Sequence, residues 1–316
     1  MSMEKEQARH VGRFGQIGIY LGKQFRMLIY HSDWKVLPMA AVIAGLVAMV
    51  TGKNTFVTME GTQTGTFALT LVCIWNGFFN SIQAIVRERP IVKREHRAGM
   101  HITSYVAAHL IYQLFLCALQ AAITLGVCIS VGMHLPEKSL ITSSPYADIY
   151  ITLLLITFSA DTMSLMVSAI VRTTTTAMTA MPFLLIIQLV FSGQFFSLPA
   201  SVSGLADATI SKWGMTALCI QADVNNLPST LIWNKLVAAG DYQITKNVRL
   251  IDILSTVQEN GGRETFMKLM ADMNQNANYV YDSFSLLSCW GYLLLFAFAF
   301  SFIAVVFLEF IDRDKR

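Results

Sequence analysis

Polar side chains recur at helical spacing inside three of the most apolar stretches of the sequence. Each line sets three or four polar residues on one helix face, because its members lie three, four or seven positions apart. The lines are Asn76, Asn80, Gln83 and Arg87; His109, Gln113 and Gln120; and Thr157, Asp161, Ser164 and Ser168. Polar groups are costly in lipid, so such lines either join neighbouring helices by hydrogen bonds or face a water-filled cavity. The residues alone leave both interpretations open.

Asp161 is the only acidic residue in the middle of an apolar stretch. Insertion scales give a charge at such a place a cost of roughly 2.5–3.5 kcal/mol or more. The carboxyl group is therefore neutral or hydrogen-bonded to nearby Ser or Thr, or else it relays protons. If Asp161 relays protons, the chain could be an ion- or proton-coupled secondary carrier, which is an alternative function.

The sequence lacks the motifs of ATP hydrolysis and of common membrane enzymes. The phosphate loop GxxxxGK[ST] does not occur, and the nearest match, Gly52-Lys53, is followed by Asn54. HExxH, GxSxG and clusters of Cys and His are also missing. We therefore expect a non-enzymatic chain with no catalytic residue, metal or bound cofactor. Of five cysteines only Cys219 lies outside the apolar stretches, and a buried thiol is favoured there over a disulfide between subunits.

Membrane-spanning helices are the elements that must hold these residues. Of the 316 residues, 54% are hydrophobic and 14% charged, against roughly 25% charged in soluble domains. A helix needs about 20 apolar residues to cross the hydrocarbon core. Six stretches approach or exceed that length: 36–50, 62–86, 104–133, 150–171, 177–198 and 286–309. The predicted fold class is all-α, a polytopic membrane protein with six transmembrane helices.

The distribution of basic residues predicts the orientation. Most of the 23 Lys and Arg residues fall on the side of the N-terminus, and basic residues near short loops stay in the cytoplasm. Both termini are therefore expected in the cytoplasm. The protein is expected in the plasma membrane, specifically the cytoplasmic membrane of a bacterium. The first apolar stretch lies too far from Met1 for a cleavable signal peptide. Because the basic residues adjoin helix ends, membrane lipids are favoured as partners over nucleic acid.

Polar segments divide the chain into regions. They are a cytoplasmic N-terminus with an interfacial helix (1–33), helices one to five (34–198) with a charged cytoplasmic coupling loop (87–103), a large external loop (199–285), helix six (286–309) and a cytoplasmic tail (310–316). The interfacial helix is predicted from apolar residues at spacings of three and four, namely Phe14, Ile17, Leu21, Phe25 and Leu28. Two short helices are predicted in the external loop, on either side of Gly261-Gly262.

The charged segment can be a solvated turn or a protein-docking surface. It reads Arg87-Glu88-Arg89-Pro90 and then Arg94-Glu95-His96-Arg97-Ala98-Gly99-Met100. With Asn76-Gly77-Phe78-Phe79-Asn80-Ser81 before it and Ser104-Tyr105-Val106 after it, it resembles the type-2 permease domain of ABC transporters in its G-subfamily form. Phe195-Phe196-Ser197-Leu198-Pro199 and Ile210-Ser211-Lys212-Trp213-Gly214-Met215 resemble the external re-entrant segment of that family. The resemblance extends from Phe14 to Glu309.

The resemblance implies contact with an ATPase through the charged segment. The residues implied are Glu88, Arg89, Pro90, Arg94, Glu95, Arg97 and Gly99. The chain departs from the G subfamily because it has no fused ATPase, so a separate cytoplasmic ATPase subunit carrying ATP and Mg is expected. A second permease copy or a paralogue completes the dimer.

A substrate cavity on the dimer axis is also implied. Asn76 and Phe79 match motif positions that contact ligand in the family, and location adds Gln83, Gln188, Phe191 and Phe195. The expected function is the permease subunit of an ATP-driven exporter for an amphipathic, lipid-like or peptide substrate. A non-transporting sensor or scaffold whose external loop binds a ligand is a further alternative.

Overall fold

The computed structural model describes residues 12–30, 33–136, 138–193, 203–245, 248–274 and 276–310. These residues are largely α-helical, which confirms the all-α class. In chain order the helices are α1 (Arg13–Tyr30), α2 (Val36–Thr51), α3 (Met59–Ser81), α4 (Ala84–Arg97), α5 (Ile102–Ser130), α6 (Pro145–Ile170), α7 (Thr174–Val190), α8 (Ser203–Asp207), α9 (Ile210–Gln221), α10 (Leu227–Ala238), α11 (Leu250–Glu259), α12 (Gly262–Asn274) and α13 (Ser283–Glu309). A small antiparallel hairpin of β1 (Gln243–Thr245) and β2 (Val248–Arg249) joins α10 to α11.

Four helical segments are long and apolar enough to cross a membrane. They are Met59–Arg97, Ile102–Ser130, Pro145–Ile170 and Ser283–Glu309. The apolar helices α2 and α7 hold 16 and 17 residues, and at 1.5 Å per residue they are shorter than the ~30 Å hydrocarbon core. The structure thus has an apolar helix at each of the six predicted positions, while the count of six spans stays a prediction.

The charged segment, predicted as a cytoplasmic connection between two spans, is largely helical. α3 ends at Ser81, before the predicted end of the second span at Val86, and α4 then runs from Ala84 to Arg97. The cause is an amphipathic pattern, because Ile85 and Val92 are buried while Arg94 is exposed. Only the stretch from Ala98 to His101 connects α4 to α5 without helix.

The core of the bundle is built around α6, which packs against α3, α13, α5 and α9. Gly77 of α3 faces α6 so closely that a Cβ atom there would collide with the carbonyl oxygen of Thr157 and the amide nitrogen of Asp161. Ser164 Oγ donates a hydrogen bond to the carbonyl oxygen of Phe78 at 3.0 Å. The polar line on α6 therefore lies in a tight helix contact.

The segment between α7 and α13 returns into the bundle before it forms its outer helices. α9 packs against α3, α6 and α13, and Cys219 on it is fully buried with its sulfur 3.3 Å from Thr66 Oγ1. All five cysteines are free and buried. The outer helices α10, α11 and α12 contact one another, and Gly261 at the α11–α12 junction has a positive φ of 72°, which favours glycine.

Three predicted features lie outside the described residues. They are the polar N-terminus before Gly12, the stretch 195–199 that resembles the re-entrant segment and includes Phe195, and the tail after Phe310.

Candidate coupling interface and cavity

The α4 helix has two chemically different faces. Exposed residues recur at helical spacing on the outer face: Arg87, Pro90, Ile91, Arg94 and Arg97. On the inner face Glu88 is only 8% exposed. Arg89 Nη1 donates to the carbonyl oxygens of Ala169 and Val171, both at 2.9 Å, and so binds the C-terminal end of α6, where carbonyl groups lack helical partners. The outer face is a basic surface with an apolar residue in it, while the inner face holds α4 to the bundle.

Glu88 connects three helices at one carboxylate. Its Oε1 lies 2.9 Å from Lys23 Nζ of α1, and its Oε2 accepts a hydrogen bond from Tyr105 Oη of α5 at 3.1 Å. A nearly buried carboxylate is tolerated when both oxygens have partners of this kind. We call the contacts of Gln16, Tyr20 and Lys23 with α4, with α5 and with the stretch that connects these two helices the α1–α4–α5 network.

Three further hydrogen bonds of α1 complete the network. Tyr20 Oη donates to Glu95 Oε2 at 2.9 Å, and Gln16 Oε1 accepts from the backbone N–H of His101 at 2.9 Å. Gln16 Nε2 also donates to the carbonyl oxygen of Gly99 at 3.3 Å. Burial and the neighbouring Glu95 carboxylate raise the pKa of Tyr20, so this phenol stays a hydrogen-bond donor throughout the physiological range.

The polar face of α1 was not recognised from the sequence as the one that contacts the bundle. Gln16, Tyr20 and Lys23 lie four and three positions apart, a signal that an apolar stripe on the same helix obscured. Phe14 in that stripe is 90% exposed. Phe25 does pack on α5, with ring centroids 5.6 Å from Tyr112 and 5.4 Å from Phe115.

The structure divides the predicted coupling residues between the two faces. Pro90, Arg94 and Arg97 lie on the exposed side, and Gly99 follows with a positive φ of 103° that turns the chain towards α5. The other three, Glu88, Arg89 and Glu95, bind α5, α6 and α1 within the chain. Any protein that docks on α4 would therefore meet the first group, while the second group holds α4 to the helices behind it.

A cavity of about 370 Å³ lies behind α4, between α1, α3, α5 and the start of α7. Polar and aromatic residues that line it include Gln24, Phe79, Gln83, Glu88, His109 and Gln113. Gln24 Nε2 lies 3.0 Å from His109 Nε2. Two of the predicted substrate residues, Phe79 and Gln83, therefore share this cavity.

The other predicted substrate residues lie elsewhere. Asn76 is buried and does not line the cavity. Gln188 binds α9, because its side-chain oxygen accepts from the N–H of Ser211 at 3.0 Å. Phe191 follows the end of α7 and is half-buried. Within one chain the structure therefore brings together only Phe79 and Gln83 among the described members of the predicted set.

Asp161 lies fully buried in the contact between α6 and α3. Its Oδ1 accepts a hydrogen bond from Ser81 Oγ at 2.7 Å, which fits the interpretation of a carboxyl group bonded to a hydroxyl. Its Oδ2 has no hydrogen-bond partner among the described residues. Across the same residues no group of His, Cys, Asp and Glu is placed to hold a metal ion.

The fold and this interface define a class of protein: a helical protein with four helical segments long and apolar enough to cross a membrane and a charged helix bound to the ends of the long apolar helices. Comparison with known families specifies the class. The family model of the ABC-2 type transporter matches residues 16–220, more than half of the chain. The chain therefore belongs to the ABC-2 type transporter family and is a permease-type transport component.

The name of one relative agrees with this assignment. The chain is similar to an ABC transporter ATP-binding/permease protein of Mycobacterium tuberculosis, with 25% identity over 191 residues. The match covers 58% of this chain and 22% of the relative. The chain thus spans less than a quarter of the length of that protein.

Proposed function

We propose that this chain is the permease subunit of an ATP-driven exporter, energised by an ATPase on a separate cytoplasmic subunit that binds ATP and Mg. Two permease chains, identical or paralogous, would form the pathway for an amphipathic, lipid-like or peptide substrate. The chain would lie in the plasma membrane with both termini in the cytoplasm. Family membership supports this proposal, as does the relative whose name combines ATP binding with a permease.

The observation that carries the proposal is the division of α4 into two faces. An exposed row of Arg87, Ile91 and Arg94 can dock a protein, because it offers positive charge around an apolar residue. Behind it Glu88 binds α1 and α5, and Arg89 binds α6. A push on the outer face would therefore move three other helices, as a chain that converts nucleotide-driven closure into transport requires.

Charge reversal on the outer face tests the docking role. The tagged chain would be purified from its native membrane, and ATP hydrolysis in the preparation measured together with the presence of a phosphate-loop ATPase. We expect Arg94→Glu to lower both by at least tenfold, because the new carboxylate would face acidic groups of the partner, and like charges at a docking surface cost several kcal/mol.

Arg26→Glu is the matched control for this test. Arg26 is an exposed cation on α1 whose guanidinium binds its own helix at Gly22, so its reversal changes net charge equally but leaves α4 intact. Equal ATPase recovery with wild-type chain and Arg94→Glu would contradict the docking assignment. Absence of any ATPase from the wild-type preparation would contradict the proposal as a whole.

A proton-coupled carrier is the second candidate, because one oxygen of buried Asp161 has no partner among the described residues. Asp161→Asn distinguishes the two functions. Under the exporter proposal this variant keeps an acceptor for Ser81 and retains ATP-dependent transport within about twofold. Under the carrier proposal it abolishes uptake driven by a proton gradient, measured in vesicles without ATP.

A further inference from the structure

The cavity behind α4 contains two buried polar atoms that nothing in the described chain satisfies. His109 and Gln113 are each 2% exposed and both line the cavity. Among the described residues, His109 Nδ1 and Gln113 Oε1 have no hydrogen-bond partner. Buried polar groups without partners are rare and costly, so the pair points to a ligand.

The chemistry of the pair specifies what the ligand must offer. The amide nitrogen of Gln24 can only donate, so His109 Nε2 accepts from it and the ring proton is on Nδ1. His109 therefore presents a donor, while Gln113 presents an acceptor. The two residues are four positions apart on α5 and lie on adjacent turns of one face. A hydroxyl group, which donates and accepts at once, satisfies both.

The surroundings of the cavity indicate a membrane lipid. The cavity lies at the α4 end of the helices and is lined in part by α1. The outer side of α1 exposes Phe14, Ile19 and Ile29. A helix with apolar residues exposed in this way is suited to the membrane interface. Arg87 lines the cavity and is exposed, so its guanidinium is available to a phosphate. A volume of about 370 Å³ accommodates a headgroup.

We propose that this cavity binds the hydroxylated headgroup of an anionic phospholipid, with a headgroup hydroxyl between His109 and Gln113 and the phosphodiester near Arg87. The bound headgroup would also contact Gln24 and Glu88, and through Glu88 it would adjoin the α1–α4–α5 network. The proposal concerns this chain alone and does not depend on the ATPase or on the transported substrate.

Two phospholipids of equal charge provide the test. Phosphatidylglycerol and phosphatidylmethanol share the phosphodiester, but only the former carries headgroup hydroxyls. The full-length chain would be reconstituted in nanodiscs that contain both lipids in equal amounts, and the lipids retained after extraction would be counted by native mass spectrometry. We expect roughly tenfold preference for phosphatidylglycerol, the effect of two net hydrogen bonds.

Variants on α5 locate the preference. Gln113→Leu removes the acceptor at similar volume and should reduce the ratio to roughly threefold, because the hydrogen bond from His109 remains. Thr124→Val is the matched control, because Thr124 Oγ1 is also buried without a partner in the described chain but does not line the cavity; it should keep the ratio. Equal retention of both lipids by the wild-type chain would overturn the proposal. This outcome does not depend on whether any variant folds. A preference that stays at tenfold in Gln113→Leu would overturn the assigned position.

Discussion

The contact of α3 with α6 and the contact of α1 with α4 and α5 are built in opposite ways. The first is close and short-ranged: Gly77 brings backbone against backbone, and Ser164 and Ser81 form single hydrogen bonds across it. The second relies on long side chains, with Lys23, Glu88 and Tyr105 reaching across, and leaves a cavity behind α4. Close backbone packing permits few alternative arrangements, whereas long polar side chains can be re-paired. We therefore expect the contact between α3 and α6 to be rigid and the contacts of α1 with α4 and α5 to be adjustable.

The largest effect is expected from a wedge in the rigid contact. Gly77→Val would place methyl groups against Thr157 and Asp161 of α6, where even a Cβ atom collides. We expect a loss of about 3 kcal/mol in the free energy of unfolding, because overpacking forces the backbone to shift. Unfolding of the purified chain in detergent, followed by circular dichroism, would measure it.

Gly126→Val on α5 is the control for this wedge. No atom lies within 4 Å of a Cβ built at Gly126, so the change in helix propensity is the same without the collision, and the expected effect is within about 1 kcal/mol. Equal stability of the two variants would mean that the α3–α6 contact is adjustable. The difference between this contact and the contact of α1 with α4 and α5 would then not exist.

A smaller loss is expected where the α1–α4–α5 network is weakened at its centre. Glu88→Gln keeps the size and an acceptor for Tyr105 but removes the negative charge that faces Lys23. We expect about 1–2 kcal/mol, since hydrogen bonds to charged groups contribute more than neutral ones and the partial exposure of Lys23 reduces the gain. Chemical unfolding compared with Glu60→Gln, an exposed carboxylate at the start of α3, would measure the difference.

The double variant with Lys23→Met sharpens this measurement. If Lys23 and Glu88 form one unit, their losses will not add, and the coupling energy will appear as the difference. Additive losses would show that the carboxylate acts through Tyr105 alone.

The two contacts also differ in how far the sequence predicted them. Apolar length predicted the long helices, and the spacing of Thr157, Asp161 and Ser164 placed them on one face. The contact of this face with Gly77 depends on which helices become neighbours. The spacing of residues within one helix carries no information about its neighbours. The direction of Glu88 was harder to predict, because a charge turned inward requires Lys23 and Tyr105 from two distant segments. Family resemblance predicted a docking segment, but not which of its residues face outward.

The smallest effect is expected at Tyr20, where pH distinguishes a bonded phenol from a solvated one. Tyr20→Phe removes the hydrogen bond to Glu95 and should cost about 1 kcal/mol at neutral pH. Burial and the carboxylate raise the pKa of Tyr20 above its ordinary value of 10.0. A phenol whose pKa is raised on folding stabilises the chain fully below the unfolded pKa, and this contribution is lost as pH rises above about 10 towards the folded pKa. The stability difference between wild type and Tyr20→Phe should therefore be constant from pH 7 to 9 and shrink at higher pH. Because both proteins contain the other tyrosines, their ionisation cancels in this difference. A stability difference that does not change up to pH 11 would mean that folding does not raise the pKa of Tyr20. In that case Lys23 and Gln16 hold α1 without the hydrogen bond from Tyr20 to Glu95.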